Sequence, residues 1–304
     1  MPRILCLGMS ALDAIYRVSA IPTTPTKILA TGFTESGGGM AANASVAVAR
    51  LGGHASYWGR VGADALGTRI LGQLADEGVD VSGVRRIAGC VSPSAAILVD
   101  DVGERLICAY NDPKLDHDAS WLPLARIPDF DAVLVDVRWP AGAALVLDAA
   151  TVAGIPAVFD GDIGPRAALL DLARRATHVV FSEPGLAQAT GVDSPGEGLA
   201  RIAGAVSGVV GVTLGPEGFL WREGGQERRI PSPVIVPVDT LGLATSGTAP
   251  LRWRWRSGAI SATRRGLQMS LPPSNAPGRE AGWVRRVAPK FSRCFREIRT
   301  IYTI

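Results

Sequence analysis

The sequence predicts an α/β protein with an open, mostly parallel sheet, helices on both faces of it and a small additional β lid. Short apolar segments typical of buried strands alternate with segments whose apolar residues recur at helical spacing. Segments 14–35 and 90–112 interrupt this alternation with short β-like pieces, and we expect them to form the lid over the site. A chain of 304 residues is long enough to bury a substantial core.

The individual elements follow from local signals. The first strand, Ile4–Gly8, is an apolar run that ends at a glycine. The first helix, Met40–Leu51, begins after three consecutive glycines and ends before Gly52. An Asp-Asp-Val-Gly turn at 100–103 joins two strands of the lid. The further predicted strands are Ala55–Trp58, Ala95–Val99, Arg105–Tyr110, Ala132–Val137, Ala157–Asp160, His178–Phe181 and Gly208–Leu214, and the further helices are Leu66–Glu77, Ala141–Ala153 and Pro165–Ala176.

Charge is distributed unevenly along the chain. The whole chain has 31 basic and 28 acidic residues, whereas residues 243–304 alone have 12 basic and 2 acidic residues and three of the seven tryptophans. Residues 1–242 therefore keep 19 basic and 26 acidic residues, an acidic balance without the basic footprint of a nucleic-acid-binding protein. We predict one domain over 1–242, followed by an aberrant basic tail; binding of nucleic acid or membrane by the Arg-Trp run at 251–256 is the alternative.

The cysteines and the apolar segments bear on the compartment. The four cysteines are scattered without metal-ligand spacing and indicate reduced thiols. The N-terminal apolar run is too short for a signal peptide, and no stretch reaches transmembrane length. We therefore expect a cytoplasmic protein with neither a membrane nor a nucleic-acid partner.

Polar residues follow several predicted strands, and ligands bind at the carboxyl ends of strands in open parallel sheets. Asp13 lies just past the first strand, and Asn43 lies one turn inside the helix that Gly37–Gly39 precede. Each residue alone is more typical of a turn than of a ligand contact, but their shared end of the sheet predicts one site. The others are Arg138, Asp160, Asp162, Glu183 and Thr213–Gly218.

Four motifs occur in order along residues 1–242 and resemble the PfkB/ribokinase family of carbohydrate kinases. They are Gly-Gly-Gly-Met-Ala-Ala-Asn-Ala at 37–44, Gly-Arg-Val-Gly at 59–62, Thr-Leu-Gly-Pro-Glu-Gly at 213–218 and Asp-Thr-Leu-Gly at 239–242. Lys27 and the segments 136–139, 159–163 and 181–186 are most similar to sulfofructose kinases. The resemblance implies a ribokinase-like fold and a homodimer formed through the lid. It also implies phosphorylation of a sugar's primary hydroxyl with ATP and Mg²⁺, converting 6-deoxy-6-sulfofructose to its 1-phosphate.

The resemblance also implies a role for each site residue. In the sugar half, Asp13 would hold sugar hydroxyls, and Gly38, Gly39 and Asn43 would line the sugar site. In the nucleotide half, Glu183 would organise Mg²⁺ and phosphate through water, with no direct ligation of the metal by the protein. It stands in Ser-Glu-Pro-Gly, which departs from the family's usual Asn-x-x-Glu. The residues implied to bind ATP are Thr213, Gly215, Gly218, Asp239, Thr240 and Gly242.

Two cations match the positions that bind the sulfonate in sulfofructose kinases. Lys27 provides a point charge and Arg138 a planar fork, and both suit a compact oxyanion. The alternatives are a solvated loop lysine and, for Arg138, a structural ion pair with an acid such as Asp136. A third sulfonate contact, an asparagine in those kinases, aligns with Ala109, and Asn111 is its only nearby substitute.

The last motif breaks off after Gly242. The family's turn runs Asp-Thr-x-Gly-Ala-Gly-Asp and supplies both N–H donors for the transferring phosphoryl group and the catalytic base. Here Leu243-Ala-Thr245 follows, and the Thr245 hydroxyl cannot act as a base near neutral pH. The chain as written therefore lacks an intact catalytic residue.

A frameshift accounts for this break. GC-rich codons for Leu-Ala-Thr-Ser-Gly-Thr-Ala-Pro at 243–250, read one base earlier, give Ala-Gly-Asp-Val-Trp-His-Gly-Ala and restore the motif. A natural divergent tail and an engineered one are the alternatives. For function, the sequence leaves three hypotheses: a kinase damaged by a frameshift, a family kinase for another sugar or a nucleoside, and a sugar-binding protein without turnover.

Overall fold

A computed structural model of the chain describes residues 1–115 and 118–232 in full, and only the backbone of 259–263 and 266–270. The strands within these residues are β1 (Arg3–Gly8), β2 (Ala11–Arg17), β3 (Gly32–Gly38), β4 (His54–Gly62), β5 (Asp80–Ile87), β6 (Ser94–Val99), β7 (Arg105–Tyr110), β8 (Ala132–Asp136), β9 (Ala157–Gly161), β10 (His178–Ser182), β11 (Val209–Thr213), β12 (Phe219–Glu223), β13 (Gln226–Ile230), β14 (Ala259–Thr263) and β15 (Gly266–Ser270). The helices are α1 (Met40–Arg50), α2 (Ala65–Asp76), α3 (Pro140–Ala153), α4 (Arg166–Arg175), α5 (Glu183–Thr190) and α6 (Pro195–Ala203).

Nine strands form the large sheet in the order β13-β12-β11-β10-β9-β8-β1-β4-β5. The seven strands from β11 to β5 pair in parallel, and β12 and β13 add an antiparallel edge. The predicted open, mostly parallel sheet is therefore confirmed. Because β1, β8, β9 and β10 run in parallel as neighbours, their carboxyl ends meet at one edge of the sheet, which is where ligands bind in open parallel sheets.

The helices cover the sheet unequally. Helices α3 to α6 pack over β8 to β11, and side chains such as Val133, Phe159 and Phe181 are fully buried in that layer. Helices α1 and α2 pack with β1 and β4 in a second apolar cluster. On the alternate positions of β8, β9 and β10, by contrast, Leu134, Val158 and His178 are only half-buried.

Four strands form a separate small sheet in the order β3-β2-β6-β7, which confirms the predicted lid. Its first two strands, β2 and β3, run from Ala11 to Gly38 and so extend three residues beyond each end of the predicted segment of about 14–35. Facing residues share a side of a sheet. One side therefore carries the row Phe33, Tyr16, Leu98 and Leu106, and the other carries the row Ser36, Asp13, Ala95 and Ala109.

A carboxylate at the beginning of α2 binds the segment that leads into β6. Asp64 caps that helix by accepting from the Gly67 N–H at 2.7 Å, and it also accepts from Ser92 N at 2.9 Å and Ser92 Oγ at 2.6 Å. These bonds attach the small sheet to the large one. No helix in the described part of the chain is long and apolar enough to cross a membrane.

Candidate active site

One buried carboxylate, Asp136, joins three elements at the carboxyl end of the large sheet. Its Oδ2 accepts from Met9 N at 2.9 Å and Ala41 N at 3.1 Å, and its Oδ1 accepts from Arg138 N at 2.9 Å. Burial raises the pKa of this carboxyl, while the three N–H donors favour its ionised form and oppose that rise. Gly8 makes room for it, since a Cβ there would lie 2.1 Å from Asp136 Oδ2. Asp136 thus fixes both the start of α1 and the backbone of Arg138.

The predicted sugar-site residues surround the start of α1. Asp13 lies within β2 rather than past β1 as predicted, because the chain enters the small sheet directly after Ser10. A Cβ on Gly38 would lie 2.4 Å from Asp13 Oδ2, so only glycine leaves that carboxylate its place. Gly39 precedes α1 with a φ of 99°, and a Cβ there would lie 2.3 Å from the Met9 carbonyl oxygen. Asn43 N donates to Gly39 O at 2.9 Å in the first helical turn.

Asp13 is a half-buried acid whose only strong perturbation is the loss of water around it. Burial raises its pKa to about 6, from an ordinary value of 3.8. The carboxylate therefore carries its charge at neutral pH while little water solvates it. Such a group accepts hydrogen bonds strongly from hydroxyls that displace the remaining water.

Arg138 forms an ion pair, but with Asp162 and not with Asp136, the acid named in the alternative prediction. Arg138 Nη2 lies 3.0 Å from Asp162 Oδ2. Asp162 is only 2% exposed, and its Oδ1 accepts from Ser182 Oγ at 2.8 Å. Ser182 Oγ in turn accepts from the Gly185 N–H and caps α5. Both Asp136 oxygens accept from backbone N–H groups instead, and the Arg138 guanidinium acts on Asp136 only as a nearby charge.

Arg138 is also surrounded by a further acid and by an aromatic neighbour. Asp160 lies within β9, not after it, and faces Asp136 in register. Burial, together with the charges of Asp136 and Asp162, raises the pKa of Asp160 to about 7. Trp139 follows Arg138 in the chain, and the buried Arg60 guanidinium lies 3.9 Å from the centroid of the Trp139 ring. The backbone around Arg138 is thus firmly packed.

The remaining sulfonate-site positions lie outside this packed cluster. Lys27 is exposed in the connection between β2 and β3. Ala109 is exposed on β7, in the same cross-strand row as Asp13, and Asn111 is exposed just beyond that strand. The Ala109 methyl group offers no hydrogen-bond donor on the Asp13 side of the small sheet.

The predicted nucleotide loop follows β11. Gly215 and Gly218 have φ values of 52° and 98°, a region that side chains rarely adopt. Leu214 N donates to Gly218 O at 2.8 Å and closes the loop, and a Cβ on Gly218 would lie 2.0 Å from Ile230 O. Thr213 ends the strand and donates its hydroxyl to Phe181 O at 3.4 Å. The loop is therefore built for close approach of backbone to a neighbour or a ligand.

Glu183 is the exposed first residue of α5, directly after β10. It follows Ser182, which bonds to the Asp162 partner of Arg138 and pairs with Thr213 of the neighbouring strand β11. The start of α5 therefore lies between the Arg138 ion pair and Thr213. Within the described residues, no group of three or more His, Cys, Asp or Glu could hold a metal ion. The other four predicted positions, Asp239, Thr240, Gly242 and Thr245, lie outside the described residues.

Sequence reasoning missed the connecting residues Asp136, Asp162 and Ser182 as parts of one network. The sequence places Asp162 just after a predicted strand, and Ser182 precedes a Glu-Pro pair typical of a helix start. Neither signal indicates that the two side chains meet, which only the parallel neighbourhood of β9 and β10 brings about.

Comparison with known proteins gives consistent results. The family described as pfkB family carbohydrate kinase matches residues 1–242. Fructokinase-1 of Oryza sativa is 26% identical over 308 residues, which cover 88% of this chain and 94% of that protein. Fructokinase of Vibrio alginolyticus is 26% identical over 301 residues, covering 86% and 94%. Ribokinase of Bacillus subtilis is 25% identical over 292 residues, covering 90% and 98%.

Solved structures are similar as well. A candidate ribokinase from Agrobacterium tumefaciens has a TM-score of 0.75 and 39% identity over 79% of both chains. Ribokinase of Arabidopsis thaliana, complexed with ribose and ATP, has a TM-score of 0.66 at 21% identity over 79% of this chain and 80% of that one. The second likeness shows the fold alone, and together they confirm the ribokinase-like architecture.

Proposed function

Because the chain belongs to the pfkB family of carbohydrate kinases, a family of phosphotransferases, we propose that its site is built to phosphorylate a sugar's primary hydroxyl. The proposed substrate is 6-deoxy-6-sulfofructose, which would become its 1-phosphate. Relatives named fructokinase favour a ketohexose skeleton. We place the reaction in the cytoplasm, where ATP is available.

The observation that carries this proposal is the Asp136 network. One carboxylate binds both the start of α1, next to Gly38 and Asp13, and the backbone of Arg138. A hydroxyl-binding acid and a half-exposed guanidinium are thereby held at one end of the sheet. A sugar with an anionic group needs both, since the acid accepts from its hydroxyls and the guanidinium donates to its oxyanion.

The nucleotide would bind at the neighbouring end of the sheet. We propose that Mg-ATP lies over Thr213–Gly218 and Asp239–Gly242 and supplies the phosphoryl group. The loop fits this role because Gly215 and Gly218 combine positive φ with close backbone approach. Glu183 is exposed beside the loop's strand and would hold Mg²⁺ through water. Family members solved with ATP and with ADP support the nucleotide assignment.

We further propose that this chain is inactive because residues 243–304 are translated out of frame. The family match ends at Gly242, the residue after which the motif breaks. Loss of the base and of the adjoining N–H donors should lower the rate by several orders of magnitude. Binding of sugar does not need the base, so the sugar half can still be tested in this chain.

The test is binding of sugars measured by titration calorimetry. The 304-residue chain should bind 6-deoxy-6-sulfofructose without forming ADP in the presence of Mg-ATP. K27A/R138A should weaken that binding at least about 100-fold, because each charge-assisted hydrogen bond contributes about 1.5–3 kcal/mol. Fructose binding should be unchanged.

K114A/R174A is the matched control, since it removes the same two charge types at exposed positions that have no proposed role in the site. Equal affinity of K27A/R138A and the control for the sulfosugar would contradict the substrate assignment. It would favour a family kinase for a neutral sugar or a nucleoside. Binding that is strong in every variant but never followed by turnover, even with the frame restored, would favour a sugar-binding protein.

The proposed homodimer would form through the small sheet. Phe33 and Leu106, at the two ends of the apolar row, are 57% and 51% exposed, and Tyr110 on the same side is 49% exposed. Sedimentation velocity should give a dimer for the wild-type chain and a monomer for L106E. A monomeric wild-type chain would count against this interface.

A further inference from the structure

Three carboxylates lie around Arg138, one of the two cations of the proposed anion subsite. Arg138 has Asp162 at 3.0 Å, and Asp160 and Asp136 lie at the ends of the adjoining strands. We propose that Asp162 is a specificity-determining residue, which makes the subsite favour a singly charged sulfonate over a doubly charged phosphate. This inference rests on the proposed function, in which Arg138 binds the anionic group of the sugar.

Asp162 cannot turn away from Arg138. It is 2% exposed, and its second oxygen is held by Ser182 Oγ at 2.8 Å, which itself caps α5. A buried charge is poorly screened by water or salt, so this carboxylate acts on any anion that Arg138 binds. The pair also uses only one nitrogen of the guanidinium, Nη2, and leaves the side chain 34% exposed for a ligand.

Two contributions to the binding free energy depend differently on the charge of the ligand. Attraction to Arg138 grows in proportion to the ligand charge, whereas the cost of removing the ion from water grows with its square. A site with a weak positive potential therefore favours a monoanion, and a strongly positive site favours a dianion. Asp162 lowers the net charge around the bound anion by one unit and so makes the electrostatic potential there less positive. A sulfonate carries one negative charge, and a phosphate monoester carries about 1.5 to 2 near pH 7.

Asp162→Asn removes that charge but keeps the shape and one oxygen acceptor. At about 8 Å and an effective dielectric constant of about 20, loss of one carboxylate raises affinity more than about tenfold per unit of ligand charge. The gain is therefore larger for phosphate than for sulfonate. We expect D162N to shift the ratio of the two dissociation constants toward phosphate by about tenfold.

The experiment compares 6-deoxy-6-sulfofructose with fructose 6-phosphate by titration calorimetry on the full chain near pH 8. Wild type should favour the sulfosugar, and D162N should lose most of that preference. D171N is the matched control, because Asp171 is an exposed acid on α4 that also pairs with an arginine, Arg175, at 3.0 Å. It should change the ratio less than twofold. If D162N loses the far-UV circular dichroism spectrum of the wild-type chain, D160N at about pH 8.5 replaces it and should shift the ratio at least threefold.

The outcomes separate the two proposals. A wild-type chain that binds neither anionic sugar overturns the proposed function and this inference together. A chain that binds the sulfosugar, with a ratio in D162N (or in D160N) equal to that in D171N, overturns only the role of Asp162. A ratio that moves toward the sulfosugar in D162N overturns it equally.

Discussion

Gly38→Ala would place a methyl group 2.4 Å from Asp13 Oδ2. Ordinary contact begins at 3.4 Å, so the carboxylate must retreat by about 1.0 Å or rotate away from its rotamer. Rotation costs about 0.5–1.5 kcal/mol, and the bonds from the carboxylate to sugar hydroxyls are each worth about 1.5–3 kcal/mol. We therefore expect G38A to weaken fructose binding at least about tenfold, and up to about a thousandfold if two bonds are lost.

Gly37→Ala is the control for this substitution. A Cβ at Gly37 would meet only the Gln73 side chain, at an ordinary 3.4 Å, and the residue is exposed. Both variants gain the same methyl group in the same strand, so their backbone effects are similar. Titration calorimetry with fructose should show G37A within about twofold of wild type. Equal affinities for G38A and G37A would refute the placement of Asp13 in the sugar site.

Three further outcomes follow from the described contacts. Burial raises the pKa of Asp13 to about 6, above its ordinary 3.8, so the folded state binds this proton more tightly than the unfolded state does. The stability gained in this way is fully present below pH 3.8 and is lost as pH rises through 6. In thermal melts D13N should therefore be more stable than wild type near about pH 8 and equal to it near about pH 4; a constant difference would contradict this. Tyr57→Phe removes the buried hydrogen bond to Gly8 O at 2.7 Å and should cost about 1–2 kcal/mol, a fall in Tm of about 2–8 °C. Because Leu134 and Val158 remain half-buried on the large sheet, the 304-residue chain should melt broadly, below about 45 °C, and a cooperative melt above about 65 °C would oppose that.

The sequence predicted those elements whose signals are local. Strand β1 and helix α1 were predicted to within one residue, because an apolar run and flanking glycines define them. Strand β5 was missed, since its exposed, charged residues at the sheet edge hide the apolar pattern. The hairpin of β12 and β13 was missed although Gly224-Gly225 between them is a recognised turn signal. Helices α5 and α6 were also missed, each marked by a serine and a proline at its start.

The sequence proposed candidate site residues one by one, but it did not predict the network of bonds that joins some of them. The rule that ligands bind at strand ends selected Arg138 and Glu183, which follow parallel strands of the large sheet, whereas Asp13 lies within β2 of the small sheet. The bond from Ala41 N to Asp136 joins residues 95 apart in the chain. The pairing of Arg138 with Asp162 joins residues 24 apart in the chain, on the segments that follow two neighbouring strands. Local patterns contain no information of either kind, so the sequence indicated an ion pair for Arg138 with an acid such as Asp136 and did not identify Asp162 as the partner.

Whether the proposed defect after Gly242 is local or extended can be tested by two variants. L243A/A244G/T245D rebuilds the family's Ala-Gly-Asp turn within the chain as written, without changing any later residue. If only the base were missing, this variant should form ADP in the presence of sulfosugar, since the anion donors and the base would both be restored. If residues 243–304 are out of frame throughout, the turn has the right residues but not the sequence that follows it in the family. The triple variant should then bind sugar and stay inactive.

A chain translated in the restored frame beyond codon 242 completes the comparison. We expect ADP formation from this chain and not from L243A/A244G/T245D, at equal affinity for the sugar, because binding and turnover depend on different segments. Robust turnover by the triple variant would contradict the frameshift proposal. It would show that the tail as written can support catalysis once a carboxylate replaces the Thr245 hydroxyl.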